Sequence, residues 1–494
     1  MSYRVSGARV GATMAATALV VGCASMDGIA PRSTPAAPQD FKAHQTFGAD
    51  VAEGAWPAAD WWTELGDAQL DALEREALEA NPSLRLAQAR VDKARGLADV
   101  ARSSLMPHVD ADVQMRRERF SNHDMVPEPL AGSWRTQSRL ALDFAYELDF
   151  LGKNRAAVAA AVDRGDAARV EAFAARLVLS VAVARAYVQL ARLDDQLDIT
   201  TTTLRERQQI YGLTRDRVAA GIDTRVELKQ AEAALPATRE QITALSEATT
   251  LTRHQLAALC GQGPDRGLEI TRPKLQRVEA VAALPSRLPA ALLGRRPDVV
   301  ASRLRAEAAA KDIGVAKAQF YPDVDLLAFV GVQSLGLSRL LTIGSAIAGM
   351  GPVVTLPVFD GGRLRGNLTA TDAEYDVAVE RYNEALVDGL RDIGDAIASI
   401  RSVAAQNIQQ SLALDTAREA YDLALARYRE GIGDYLSVLS AEAQVLAQRR
   451  READLRARAY DNRINLVRAL GGGFETRIPG DTAVQHPSAS MNPA

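Results

Sequence analysis

The apolar positions change period in a regular order along the chain. Over residues 62–105, Leu70, Leu73, Leu78, Leu84, Val91, Ala94, Ala98, Ala101 and Leu105 recur at helical spacing. The one interruption, Asn81-Pro82, predicts a helix restart, because Asn caps and Pro suits the first helical position. After Pro107 the period drops to two: Val109, Ala111, Val113 and Met115 alternate with Asp110, Asp112, Gln114 and Arg116. A second alternating run, Leu140, Leu142, Phe144, Tyr146 and Leu148, completes a long β-hairpin. The pattern returns later, with strands expected over 324–332 and 353–359. Four strands in two hairpins are predicted.

After each hairpin the period becomes 3.5. Ala167, Val170, Ala174, Leu177, Val181, Ala184, Val188 and Ala191 step three and four in alternation, and Leu386, Leu390, Ile393, Ile397, Ile400 and Ala404 form the later seam. Such seams mean supercoiled helices, and small Ala knobs let them approach closely. No proline falls between Pro129 and Pro236 or between Pro357 and Pro479, so 153–216 can run as one helix of about 95 Å at about 1.5 Å per residue. Gly221 and Gly431 are placed to end these helices in left-handed turns, with return helices leading to Gly261 and Gly471.

The chain is also written twice. Asn81-Pro82 through Pro107-His108-Val109-Asp110 aligns with Arg296-Pro297 through Pro322-Asp323-Val324-Asp325 at an offset of 215. From Gly152/Gly362 onward the offset is 210, pairing Tyr211 with Tyr421, Arg217 with Arg427, Gly221-Ile222 with Gly431-Ile432, and Gly261 with Gly471. The change belongs to a loop between Pro107 and Gly152. The expected organisation is a leader over 1–22, a linker over 23–60, one repeat over 61–261, a second linker over 262–290, the other repeat over 291–473 and a disordered tail over 474–494.

The amino terminus carries Arg4 and Arg9, no acid before residue 23, and an apolar stretch over 10–21, as in a bacterial secretory signal. It ends in Leu19-Val20-Val21-Gly22-Cys23, which resembles a lipobox with Val20 where Leu is preferred; the resemblance implies diacylation of Cys23. Cleavage there moves the formal charge from -4 to -6. The near balance of charge excludes the basic excess of a nucleic-acid protein. No run of 18 apolar residues offers a spanning helix. The two cysteines, Cys23 and Cys260, and five scattered histidines exclude a disulfide framework or zinc cluster. Aromatics are only 5% against 47% apolar residues, which favours long Ala-rich helices.

Four strands cannot close a barrel, and open edges are not tolerated in lipid. Either the sheet is soluble, or two, three or four chains combine into 8, 12 or 16 strands. Leu293-Gly294-Arg295-Arg296-Pro297-Asp298-Val299, Ile313-Gly314-Val315-Ala316 with Phe320-Tyr321-Pro322, and Gly351-Pro352 through Leu356-Pro357-Val358-Phe359-Asp360-Gly361-Gly362-Arg363 resemble the outer-membrane efflux protein family of the TolC and OprM type, from about Trp61 to Gly473. The resemblance implies a mixed α and β fold: a trimeric outer-membrane β-barrel with four strands per chain, continued by a long periplasmic α-helical barrel and built from two tandem repeats. It implies a passive exit duct for drugs or toxic small molecules in a tripartite efflux system, with type I protein secretion as the alternative. The implied partners are two further copies, outer-membrane lipid, a periplasmic adaptor and an inner-membrane pump of the RND or ABC type. No cofactor beyond the lipid on Cys23 is expected.

The same resemblance implies site residues. Gly221, Ile222, Gly431, Ile432 and Gly433 match hairpin tips that dock the adaptor. Tyr428 and Arg429 match positions whose interhelix links hold the periplasmic aperture closed, with Glu227 as the expected acidic partner and source of modest cation selectivity. Ser437 and Ser440 stand where the family often carries aspartates around the constriction. An enzyme is disfavoured, since no phosphate loop, nucleophile elbow or Cys/His pair is present and Gly471-Gly472-Gly473 merely closes a helix. A periplasmic adaptor would show one helical hairpin, not two.

Overall fold

The computed structural model describes residues 25–37, 40–42, 44–47, 52–53, 55–123, 125–276, 283–284 and 294–475. Cys23 and the leader lie outside the described residues, as does most of the expected tail. The main elements are α1 (Ala68–Ala80), α2 (Pro82–Ser103), β1 (His108–Arg119), β2 (Trp134–Glu147), α3 (Lys153–Ala219), α4 (Arg225–Leu259), α5 (Pro297–Ala318), β3 (Asp323–Leu335), β4 (Ala346–Thr355), α6 (Arg363–Arg429) and α7 (Tyr435–Ala469). Lengths recur at the offsets read from the sequence. Helices α2 and α5 both have 22 residues, α3 and α6 both have 67, and α4 and α7 both have 35.

Two compact units divide the chain crosswise, each drawing on both sequence halves: residues 1–35, 89–169 and 301–383 in one, and 36–88, 170–300 and 384–494 in the other. The first unit holds the sheet. Its order is β1-β2-β3-β4, antiparallel throughout, so β1 and β4 are its edges. Strand pairing sets Val113 opposite Leu140, Leu140 opposite Val332, Leu142 opposite Val330, and Val330 opposite Ala348, making one face apolar. That face is open: Val113 is 78% exposed and Met350 83%.

The fourth strand departs from expectation, covering Ala346–Thr355 rather than 353–359. Gly349, Gly351 and Pro352 broke the alternation that reveals a strand. Within one chain this strand is an edge of the sheet, the place where proline is found in strands. A separate two-residue parallel pairing, Ala52–Glu53 with Ala283–Leu284, was not expected at all.

Within the first unit, residues 25–35 form a strap along α6. Arg365 donates to the carbonyl oxygens of Ser25 and Asp27. The Asp376 carboxylate accepts the successive backbone N–H groups of Arg32 and Ser33, each at 2.9 Å. Met26 and Ile29 pack against the buried Ile313, Ala316 and Leu368.

The second unit holds the larger core. Trp61, Trp62, Leu65, Leu70 and Leu73 pack with Val183, Tyr187, Leu190, Leu256 and Ile464. The restart at Asn81 is a true cap, its Oδ1 accepting from the Ser83 backbone at 2.8 Å while Nδ2 donates to the Leu259 carbonyl. The heptad residues Val170, Val181, Ala184 and Val188 are buried, as are Leu386, Ile393, Ile397 and Ile400. Among the described residues no helix is long and apolar enough to cross a membrane.

Candidate functional site: the hairpin tips

Both long helices end in the same way. In α3 the Ile222 N–H reaches the Arg217 carbonyl (2.9 Å) and the Gly221 N–H reaches Val218; in α6 Ile432 reaches Arg427 (3.0 Å) and Gly431 reaches Tyr428. This double closure needs a left-handed residue after the last turn, supplied by Gly221 at φ 74° and Gly431 at φ 80°. Ile222 and Ile432 stand 58% and 69% exposed, an unusual position for isoleucine at the end of a polar turn.

The return helices start differently. Thr224 caps α4 with Glu227 three residues on, and the two form a reciprocal capping box. The Thr224 hydroxyl and the helix-start N–H groups hold the Glu227 carboxyl below the usual range. In α7 the cap is Asp434, whose carboxylate accepts from the Ser437 N–H at 2.7 Å. Ser437 and Ser440 are exposed, three residues apart on one face.

Between the tips lies a buried polar knot in the second unit. The Arg217 guanidinium pairs with Asp223 through Nε (2.9 Å) and Nη2 (3.0 Å), donates through Nη1 to the Tyr428 carbonyl (2.6 Å), and lies 4.3 Å over the Tyr428 ring. The Tyr428 hydroxyl donates to Asp223 Oδ2 at 2.5 Å and shares a hydrogen bond with Thr214 at 2.9 Å. Arg217 and Asp223 side chains are only 8% and 9% exposed, and Tyr428 is fully buried. Hydrogen bonding from Arg217 holds the Asp223 carboxyl below its usual range, while burial and then the Asp223 contact push Tyr428 up to about 12.

Within the chain the acid that meets Tyr428 is Asp223, not Glu227, which is occupied by its own cap. Arg429 stands exposed at the last residue of α6. Sequence inspection missed Asp223 and Thr214, and read Arg217 only as the repeat partner of Arg427. The signal was there in the repeat: at offset 210, Thr214 faces Ala424, Val218 faces Tyr428 and Asp223 faces Gly433. The knot joins Arg217, which the halves share with Arg427, to three residues at which they differ. Gly433 completes it, since a Cβ there would press on the backbone of Arg427 and Tyr428 at 3.1 and 3.0 Å.

A family model described as outer membrane efflux protein matches the chain twice, over 73–262 and 288–472. The chain belongs to the outer membrane efflux protein family. It is 36% identical over 491 residues to the fusaric acid resistance protein FusA of Burkholderia cepacia, covering 97% of this chain and 91% of that one. It is 31% identical over 473 residues to the multidrug resistance outer membrane protein MdtP of Escherichia coli K12, covering 94% and 96%. Among solved structures, the outer membrane protein VceC of Vibrio cholerae matches with a TM-score of 0.80 at 39% identity, over 85% of this chain and all of that one. This efflux protein is accordingly an outer-membrane exit duct, and the knot described above closes the ends of two helices of such a duct.

Proposed function

We propose that three copies assemble into one duct, a 12-stranded barrel in the outer membrane continued by a helical barrel in the periplasm. The observation that carries this is the four-stranded sheet, apolar on one exposed face and unpaired at both edges. Such a sheet is stable in lipid only when further copies close its edges. The strap supports a lipid anchor on Cys23 at the same end, since it follows that residue directly and is tied to α6. The solutes carried are small toxic organic molecules, in keeping with the names of FusA and MdtP. An inner-membrane pump of the RND or ABC type supplies them through a periplasmic adaptor, which docks on Gly221, Ile222, Gly431, Ile432 and Gly433.

The test is assembly and anchoring together. The protein extracted in mild detergent is expected to sediment as a trimer, and Cys23→Ala is expected to lose its acyl chain yet stay largely in the membrane, because barrel burial far exceeds one acyl chain. A water-soluble monomer after that substitution would sink the proposal.

The gate has its own expectation. Ser437 and Ser440 bring hydroxyls, not charges, to the constriction, so native channels should be blocked weakly by trivalent cations from the periplasmic side. Ser440→Asp repeats a carboxylate three times around the axis and should create tight block. Bilayer conductance with a trivalent cation on that face decides it; strong native block left unchanged by Ser440→Asp would place the constriction elsewhere.

A further inference from the structure

The polar face of the sheet has a recess in it. Its rows run across the strands as Asp110, Asp143, Phe329 and Gly349, then Asp112, Ala141, Gly331 and Ile347, then Gln114, Arg139 and Gln333. The middle row places the two smallest side chains side by side. A Cβ on Gly331 would overlap the Leu140 carbonyl and the Ala141 side chain, so this position admits only glycine. The Arg139 side chain lies back over that row. It donates through Nη1 to Asp112 at 2.7 Å and grips Asp143 with both ends of its fork, at 2.9 and 2.6 Å. The result is an arginine side chain 23% exposed, against 61% for Arg116 on the same face, and an Ala141 that is 3% exposed beneath it.

Without Arg139 this arrangement is unfavourable. Asp110 and Asp143 are directly opposed cross-strand neighbours, and Asp112 adds a third carboxylate one row on. Among the described residues the cation nearest Asp110 is the exposed His108, at 3.7 Å. In a membrane barrel the apolar face turns to lipid and the polar face to the lumen. The three acids and the arginine therefore form a collar on the inner wall, repeated in each copy.

We propose that Arg139 sets the charge and width of that collar. By tying two of its three carboxylates flat into the recess, it leaves an unobstructed, weakly anionic wall that passes solutes of either sign. The inference rests on the trimeric barrel proposed above.

The experiment is conductance of the full-length protein in planar bilayers, with hexaamminecobalt(III) added to the extracellular face and the reversal potential read in a potassium chloride gradient. Arg139→Gln frees two carboxylates per chain, and the trivalent cation should then block at about tenfold lower concentration, with potassium preferred over chloride more strongly than in the native channel. The near-isosteric double variant Asp112→Asn/Asp143→Asn should move selectivity the other way, by about twofold or more toward chloride. Should Arg139→Gln fail to assemble, the double variant alone decides. If it, or an assembled Arg139→Gln, matches the native channel in block and reversal potential, the proposal is overturned. Native protein that sediments as a monomer and forms no pores would instead overturn the barrel itself.

Discussion

Asp223→Ala is expected to open the tips. It leaves the Arg217 guanidinium, only 8% exposed, without its carboxylate, and takes the acceptor from the Tyr428 hydroxyl. Removing one partner of a buried ion pair costs about 3–5 kcal/mol, enough to turn a mostly closed tip into a mostly open one. The effect should be local. Amide exchange should accelerate over 214–223 and 428–434, and single-channel conductance should rise, while the core around Trp62 and Tyr187 keeps its protection. Tyr428→Phe, which leaves the Arg217–Asp223 pair in place, should cost only about 1–2 kcal/mol. The pH dependence follows from the shifts. Asp223 is held below its usual range, so its contribution is complete above pH of about 4 and is lost as pH falls through its lowered value. Tyr428 is pushed up to about 12, so its hydroxyl stays a donor until the pH rises to that value. The knot should hold from mild acid to alkali and fail at both extremes. Unchanged exchange and conductance in Asp223→Ala would show that the knot does not hold the tips.

The second large effect concerns Gly221 and Gly431. Replacing both with Val forces a β-branched residue into left-handed backbone, at about 1–2 kcal/mol per site. Nothing else stands in the way: a Cβ at Gly221 meets no atom within 4 Å, and one at Gly431 meets only Arg217 Nη1 at 3.9 Å. The double variant should therefore still assemble as a trimer while losing efflux, because the turn that presents Ile222 and Ile432 is reshaped. Gly471→Ala makes the contrast. Its backbone is also left-handed, but a Cβ there would overlap the Arg295 carbonyl, so this variant should lose folded protein outright. Drug susceptibility together with trimer recovery separates the two cases. Loss of the trimer in the tip variant would make those glycines structural rather than docking residues.

What could be read in the sequence follows from the range of the forces involved. Helix lengths, the Asn81 cap and the glycine turns depend on neighbours within a few residues, and each stood where the pattern put it. The strand over Ala346–Thr355 was misplaced because its glycines and proline are permitted by an edge, and an edge is a property of the whole sheet. The knot was missed because the bonds that tie Tyr428 to Asp223, Arg217 and Thr214 join residues 205 to 214 positions apart. No local preference distinguishes Asp223 from any other turn aspartate; only its departure from Gly433 at the matching position marks it.

The strap has a consequence for the order of assembly. Each of its links to α6 joins residues 338 to 349 positions apart. Contacts that close loops of that size form only after the intervening chain exists and has largely folded. The segment made early in synthesis is thus among the last to lock into place. Once Arg365 and Asp376 take hold, residues 25–35 are fixed along a helix that only the second repeat supplies.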